Sequence, residues 1–317
     1  MQRYNFIFIP TTFYLLLFCN FFVSSYLCNQ KEMTQTKFYK VAEVLFTVTA
    51  DASDFEMMTN YEPFGALGGS VAFQLNVEEG ESVGFTEEMR QDDEGQEIVC
   101  GKTDDGCPVF EFIWAGETAG WLVCQTDYSQ ARLVVTGRYR KLAIDNALMI
   151  LFALSTAAHG VALFHSSTVT FGGKAYMFLG VSGTGKSTHS SLWLKHIEGT
   201  ELLNDDNPVV RVFDDGRATV YGSPWSGKTP CYRNLSYPLG GIVLLSQAPY
   251  NKIHRLTGIQ AYVALVPSIS GKRWDELIAD GLHQTENALA MHVPVWHLEC
   301  LPDEAAAQLC NKTIAAV

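Results

Sequence analysis

Eight consecutive residues, Gly180, Val181, Ser182, Gly183, Thr184, Gly185, Lys186 and Ser187, have the types and spacing of a loop that wraps a polyphosphate. The glycines let backbone N–H groups turn inward on an anion. Lys186 brings a point charge for the β- and γ-phosphates, and Ser187 offers a hydroxyl to Mg2+. An apolar run over 174–179 precedes the loop, and helical spacing from Thr188 to residue 197 follows it, so the segment reads as strand, loop and helix. The helix N-terminus then adds partial positive charge. Chance produces this pattern in only about one chain in a hundred of this length, which leaves a purely structural Gly-rich turn as the weaker explanation. The loop implies a nucleoside triphosphate. It does not name the reaction, because kinases, ATPases, GTPases and motors share it.

A phosphate loop needs a second carboxylate site, usually at the end of an apolar strand. Glu201, Leu202, Leu203 and Asn204 lead into Asp205 and Asp206, one helix and one return strand beyond the loop. Two adjacent acids permit a division of labour, one holding Mg2+ and the other taking a proton from an attacking hydroxyl. An acidic turn is the alternative, since Asp-Asp-Asn-Pro is good turn chemistry. Upstream, His165 ends an apolar run. Further on, residues 221–234 combine glycines, hydroxyls, Lys228 and Arg233. They form either an acceptor-side loop that neutralises charge on the γ-phosphate or a structural Pro/Gly loop, and both readings stay open.

Three of these blocks, Leu163-Phe164-His165-Ser166-Ser167, the loop 180–187 and Leu203-Asn204-Asp205-Asp206-Asn207, together resemble the catalytic domain of HPr kinase/phosphorylase. In that family a His-containing strand, a G-x-S-G-x-G-K-S loop and an Asp-Asp pair follow one another at closely similar separations. The domain is structurally related to phosphoenolpyruvate carboxykinase, so the resemblance implies an α/β nucleotide-binding core of that type using ATP and Mg2+. It covers 160–215 by motif and extends to the C-terminus by element order. Carried over by position, Lys186 grips the transferring phosphate, Ser187 and Asp205 serve the metal, Asp206 is the base, and His165 lines the same centre. The chain departs from the family beyond the pair. The Glu-containing Arg-Gly-Leu-Gly signature is missing and 221–234 stands in its place, which leaves HPr as an acceptor, and any phosphorylase activity, open.

The expectation is therefore a kinase that transfers the γ-phosphoryl group to a hydroxyl of a protein, peptide or small molecule. Its rivals are carboxykinase-type transfer to an enolate and a nucleotide-binding regulatory module without transfer activity.

To position these groups, the second half must alternate strands and helices. Strands are expected over 162–164, 168–171, 175–179, 201–204, 209–213, 218–221, 241–245 and 295–299, and helices after Gly185 and over 258–265, 274–291 and 303–315. Short apolar runs over 44–48, 70–77, 109–114, 121–124 and 131–136 read as an antiparallel β module. A helix over 138–159, closed by Gly160, bridges the two parts. The fold class is α/β, organised as a hydrophobic leader over 1–32, a β-rich domain over 33–136 and a phosphate-loop domain over 137–317.

Composition bounds the partners. With 317 residues, 47% hydrophobic content and a formal charge of −12, the chain has a real core and lacks the basic surface that nucleic acid requires. Acids crowd 78–105 and read as a solvated loop face. Eight cysteines without a C-x-x-C pair read as reduced, mostly buried thiols, in keeping with a cytoplasmic setting. Residues 6–27 are apolar and aromatic, with three readings: untranslated sequence upstream of a start at Met33, an anchor holding the body at the cytoplasmic face of a membrane, or an export signal. The first is preferred because Met33 leads directly into a strand-like run. A membrane is a partner only if 6–27 are translated, and a homo-oligomer is compatible with the chain.

Overall fold

Strand-forming runs pair wherever a polar turn lets the chain return, and the computed structural model, which describes residues 34–93, 95–227 and 229–316, begins in this way. The leader 1–32, Met33 and Lys228 lie outside the described residues. β1 (Gln35–Val41) and β2 (Val44–Ala50) form a hairpin across Ala42 and Glu43, both left-handed with φ of 48° and 65°. A short helix α1 (Ala52–Met57), a 3-10 turn (Thr59–Phe64) and the two-residue β3 (Gly65–Ala66) lead to β4 (Phe73–Glu79). A meander follows through β5 (Thr86–Asp93), β6 (Gln96–Lys102), β7 (Pro108–Trp114), β8 (Glu117–Cys124) and β9 (Gln130–Val135). Among the described residues these strands make one nine-stranded sheet in the order β3-β1-β2-β4-β9-β8-β7-β6-β5.

Two expectations are corrected here. The sheet is not wholly antiparallel: β2 pairs parallel with β4, and β4 parallel with β9. Each of those pairings follows a long excursion, through α1 in one case and through the meander in the other, which is the connection that parallel strands need. The acid-rich stretch is not a loop face either, because β5 and β6 occupy most of it. β5 is the sheet edge, where Arg90 pairs with Glu87 at 2.9 Å and with Glu97, and Lys102 pairs with Glu88 at 3.2 Å. Charge on an edge strand discourages pairing with another chain.

α2 (Arg140–Thr156), extended by a 3-10 turn (Ala157–His159), is apolar on nearly every side, as a helix buried all round must be. Arg140–His159 has the length and hydropathy of a membrane span, and 78% of that window is buried inside the molecule. Phe152 meets Phe46 and Phe73 of the first sheet at 6.4 Å and Trp225 of the second half at 5.2 Å. One continuous core therefore runs through both halves.

The second half comprises β10 (Val161–Leu163), β11 (Ser167–Phe171), β12 (Lys174–Leu179), α3 (Lys186–His196), β13 (Glu201–Asn204), β14 (Val209–Val212), β15 (Ala218–Tyr221), β16 (Ser236–Gln247), β17 (Lys252–Leu256), α4 (Ile259–Leu265), α5 (Glu276–His292), β18 (Val295–Cys300) and α6 (Glu304–Ile314). Its sheet runs β10-β14-β15-β16-β12-β11-β13, with β18 added to β16 and β17 to β18. β12, β16 and β18 are parallel. α3 and α6 cover one face through Trp193, Ala307 and Cys310, packed with Phe178, Val243 and Leu298 of the strands. The helices fall within about two residues of their expected bounds, whereas α1, β1, β3, β5, β6 and β17 fall outside every expected element. Among the described cysteines none is paired; Cys100, Cys124 and Cys310 are buried, and Cys107, Cys231 and Cys300 are partly exposed.

Candidate active site

Strand direction brings the chemistry together. β11 is antiparallel to β12, with Ser167 opposite Phe178, and β13 is antiparallel to β11, with Asn204 opposite Thr168. The residues before β11, the loop after β12 and the residues after β13 therefore share one end of the sheet. The C-terminal ends of β16 and β18 lie at the same end. Open α/β sheets bind ligands at this end of their parallel strands.

The loop 180–187 joins β12 to α3 as its motif requires. Gly180, Gly183 and Gly185 have φ of 151°, 78° and 107°, a region that side chains with a Cβ avoid. Thr184 N–H donates to Val181 O at 3.1 Å, tightening the turn. Lys186 opens α3 and its Nζ donates to Gly180 O at 2.9 Å, holding the ammonium over the loop. No side chain caps α3, so its first N–H groups face the loop. Val181, Ser182, Gly183, Ser187 and Thr188 are exposed.

The acid pair sits on a turn made by Asn204, whose fully buried Oδ1 accepts the N–H groups of Asp206 at 2.9 Å and Asn207 at 2.8 Å. Asp205 Oδ1 accepts the Ser167 hydroxyl at 2.8 Å, and Ser167 is 2.6 Å from Ser190 Oγ on α3. Two buried hydroxyls thus connect the helix behind the loop to the first acid. Asp205 Oδ2 is buried with no hydrogen-bond partner. Ser166 N–H donates to Asp206 O at 2.8 Å, and Asp206 Oδ2 accepts Asn207 Nδ2 at 2.8 Å. Asp206 Oδ1 faces His165 Nδ1 at 3.5 Å. Burial, helped by the nearby Lys186 charge, pushes the His165 imidazole down to about 3. It is neutral at physiological pH, so the contact is not an ion pair.

Residues 221–227 and 229–234 pack around this pair. A Cβ on Gly227 would lie 3.1 Å from Asp205 O and from Asp206 Cβ, so a side chain there would crowd the pair. Ser223 Oγ donates to Asn207 O at 2.5 Å, and Asn204 Nδ2 donates to Trp225 O at 3.0 Å. The N-terminal half holds the segment from above: Asn60 Nδ2 donates to Pro224 O, and Trp225 Nε1 to Tyr61 Oη, both at 3.0 Å. Arg233 is drawn elsewhere, donating to Leu202 O at 2.7 Å and pairing with Glu201 at 2.6 Å at the start of β13.

The structure thus gathers His165, Asp205 and Asp206, links them to α3 behind the loop, and sets Arg233 apart. Sequence reasoning missed Asn60 and Ser190 and gave no individual role to Ser167, Asn204 and Ser223. Their signal was faint: polar residues at buried positions of apolar runs. Among the described residues no group of three or more His, Cys, Asp or Glu is placed to hold a metal by itself. The unpartnered Asp205 Oδ2 and the exposed Ser187 hydroxyl fit a hydrated Mg2+, which keeps several waters and takes few protein ligands.

In comparison with known proteins, the chain matches no family model and no curated sequence. A solved structure, the HPr(Ser) kinase/phosphatase from Coxiella burnetii, aligns over 49% of this chain and 94% of its own at 11% identity, with a TM-score of 0.31. That likeness is distant. The mixed α/β architecture and the side-chain arrangement, not the likeness, support a function.

Proposed function

We propose that the chain is an ATP-dependent phosphotransferase that passes the γ-phosphoryl group to a hydroxyl of a protein, peptide or small molecule. One observation carries this reading: the loop helix and the acid pair occupy one sheet end and are joined by the Ser190–Ser167–Asp205 hydroxyl bridge. Loop N–H groups, the α3 N-terminus and Lys186 bind and orient the triphosphate. Ser187 and Asp205 would hold Mg2+, which when bound neutralises phosphate charge. Asp206, which ends the turn after β13 with its Oδ1 facing His165 Nδ1 at 3.5 Å, takes the proton from the acceptor hydroxyl. Residues 221–234, lying over Asp206, form the acceptor side. The cytoplasm supplies the nucleotide, and the acidic chain has no use for nucleic acid.

The experiment incubates the full-length chain with Mg2+ and γ-labelled ATP, with and without cell extract, and follows ADP and labelled acceptor. Lys186→Ala should weaken ATP binding at least about tenfold in calorimetry while the fold persists. Unchanged ATP affinity in that folded variant would remove the basis of the reading.

A further inference from the structure

The turn Thr59–Phe64 of the N-terminal half grips the segment after β15 at three places. Asn60 Nδ2 donates to Pro224 O at 3.0 Å, Trp225 Nε1 donates to Tyr61 Oη at 3.0 Å, and Asn234 Nδ2 donates to Pro63 O at 2.9 Å. Asn60 and Tyr61 are themselves held from behind by one carboxylate. Asp145, buried on α2, accepts Asn60 Nδ2 at 3.2 Å and Lys141 Nζ at 2.8 Å, while Lys141 also donates to Asn60 Oδ1 at 2.9 Å. Both amide hydrogens of Asn60 are thereby used, one toward Asp145 and one toward Pro224. The Tyr61 hydroxyl gives its proton to the same carboxylate. Burial, and after it the Asp145 charge, hold this phenol well above its ordinary pKa, so it stays a donor.

The gripped segment is in turn tied to the acid pair. Asn204 Nδ2 donates to Trp225 O at 3.0 Å, while Asn204 Oδ1 accepts the N–H groups of Asp206 at 2.9 Å and Asn207 at 2.8 Å. One planar amide thus joins Trp225 to the turn that carries Asp206. We infer that Asp145, Asn60 and Tyr61 are positioning residues for phosphoryl transfer: they fix Pro224 and Trp225 and, through Asn204, the place of the Asp206 carboxylate. The inference rests on the phosphotransferase reading and adds that the N-terminal half completes the site. A buried ion pair such as Lys141 with Asp145 is weak evidence for stability, because desolvation offsets its attraction. What a satisfied polar network does supply is a fixed arrangement of its members. A clasp that only joined the halves would lower stability when broken and leave turnover per folded molecule alone. A clasp that sets Asp206 would lower turnover itself, since a misplacement of about 1 Å can cost roughly 10²-fold in rate.

Two variants of the full-length chain test this, Tyr61→Phe, which loses a single oxygen, and Asp145→Asn, which keeps shape and loses the charge. Single-turnover transfer is followed with Mg2+, γ-labelled ATP and cell extract as the source of acceptor, and circular dichroism supplies the folded fraction. Each variant should transfer roughly 10- to 10²-fold more slowly per folded molecule, with ATP affinity in calorimetry within about threefold of the parent. In an Asp206→Asn background, Tyr61→Phe should cost less than about twofold more, because residues that act through one group are not additive. Should Asp145→Asn fail to fold, Tyr61→Phe decides alone. Parent-rate transfer by folded Tyr61→Phe overturns the positioning role and leaves the phosphotransferase reading standing. An equal loss in both backgrounds overturns the route through Asp206. A fall in ATP affinity that matches the fall in transfer overturns the inference as well, since it assigns the residues to the fold around the loop. A parent that transfers no phosphate overturns the phosphotransferase reading itself, and the positioning role with it.

Discussion

In the N-terminal half the buried polar side chains are few and scattered, Thr47, Asp54, Asn60 and Gln96 among them, and the interior is otherwise aromatic and aliphatic. In the second sheet His165, Ser166, Ser167, Thr168, Asn204, Asp205, Asp206 and Asn207 are all buried and all meet at one end. Burying polar groups is costly unless they are paired, and some atoms here are not: Asp205 Oδ2, His165 Nδ1 and Asn207 Oδ1 have no hydrogen-bond partner. The difference teaches where the fold carries cost for chemistry. The first sheet leaves the Gln96 amide unpartnered as well, but the second gathers such groups at one end, beside the loop 180–187.

If that contrast holds, variants of the two regions should fail differently. The largest effect is expected at Asp206→Asn, which keeps shape but cannot take a proton. Phosphoryl transfer should fall by roughly 10²- to 10⁴-fold in single-turnover assays while Mg·ATP binding persists. Transfer at the parent rate would place the base elsewhere. On the other side stands Phe73→Ala, fully buried and stacked on Phe46 at 4.7 Å. It should cost about 3–5 kcal/mol in denaturant unfolding, yet leave turnover per folded molecule near the parent value. A large loss of turnover in the folded fraction would erase the distinction between support and site.

Ser167→Ala probes the join between loop helix and acids. It strands the Asp205 and Ser190 oxygens and should cost about 1–3 kcal/mol, with a raised Mg2+ requirement for transfer as the signature of a displaced Asp205. An unchanged magnesium dependence would reduce the bridge to packing.

The smallest effect is a pH dependence. His165 and His189 are buried and pushed down to about 3 and about 4, in both cases foremost by burial. At pH 5 the unfolded chain therefore binds protons there that the folded chain does not. Stability is full above the ordinary histidine pKa near 6.5 and falls with pH down to about 4, by at most about 1.4 kcal/mol per pH unit for each ring. Melting curves between pH 7 and pH 4.5 should be less steep in pH for His189→Gln. An equal slope would show that other groups govern the acid limb.

The strand-loop-helix setting of 180–187 was legible because it is contiguous, and the placing of the Asp pair after a strand was legible because it ends an apolar run. Local spacing likewise gave the helices of the second half. What could not be read were relations between distant segments. That β9 lies parallel beside β4 depends on the meander folding back, and that β5 is a strand at all depends on β6 pairing with its acid-rich sequence. Ser167, Ser190 and Asn204 look ordinary until β11, α3 and β13 abut. Arg233 could be singled out by type, but its partner Glu201 could not.

The shared core around α2 has a consequence for inheritance. A gene fragment encoding only the phosphate-loop half would carry Ile144, Leu148 and Phe152 with no sheet to receive them, and one encoding only the first half would leave its inner face bare. The two halves are expected to be inherited together. Change in this lineage is expected to have come by substitution within an intact pair, with each new residue around Phe152 answered by one across the seam.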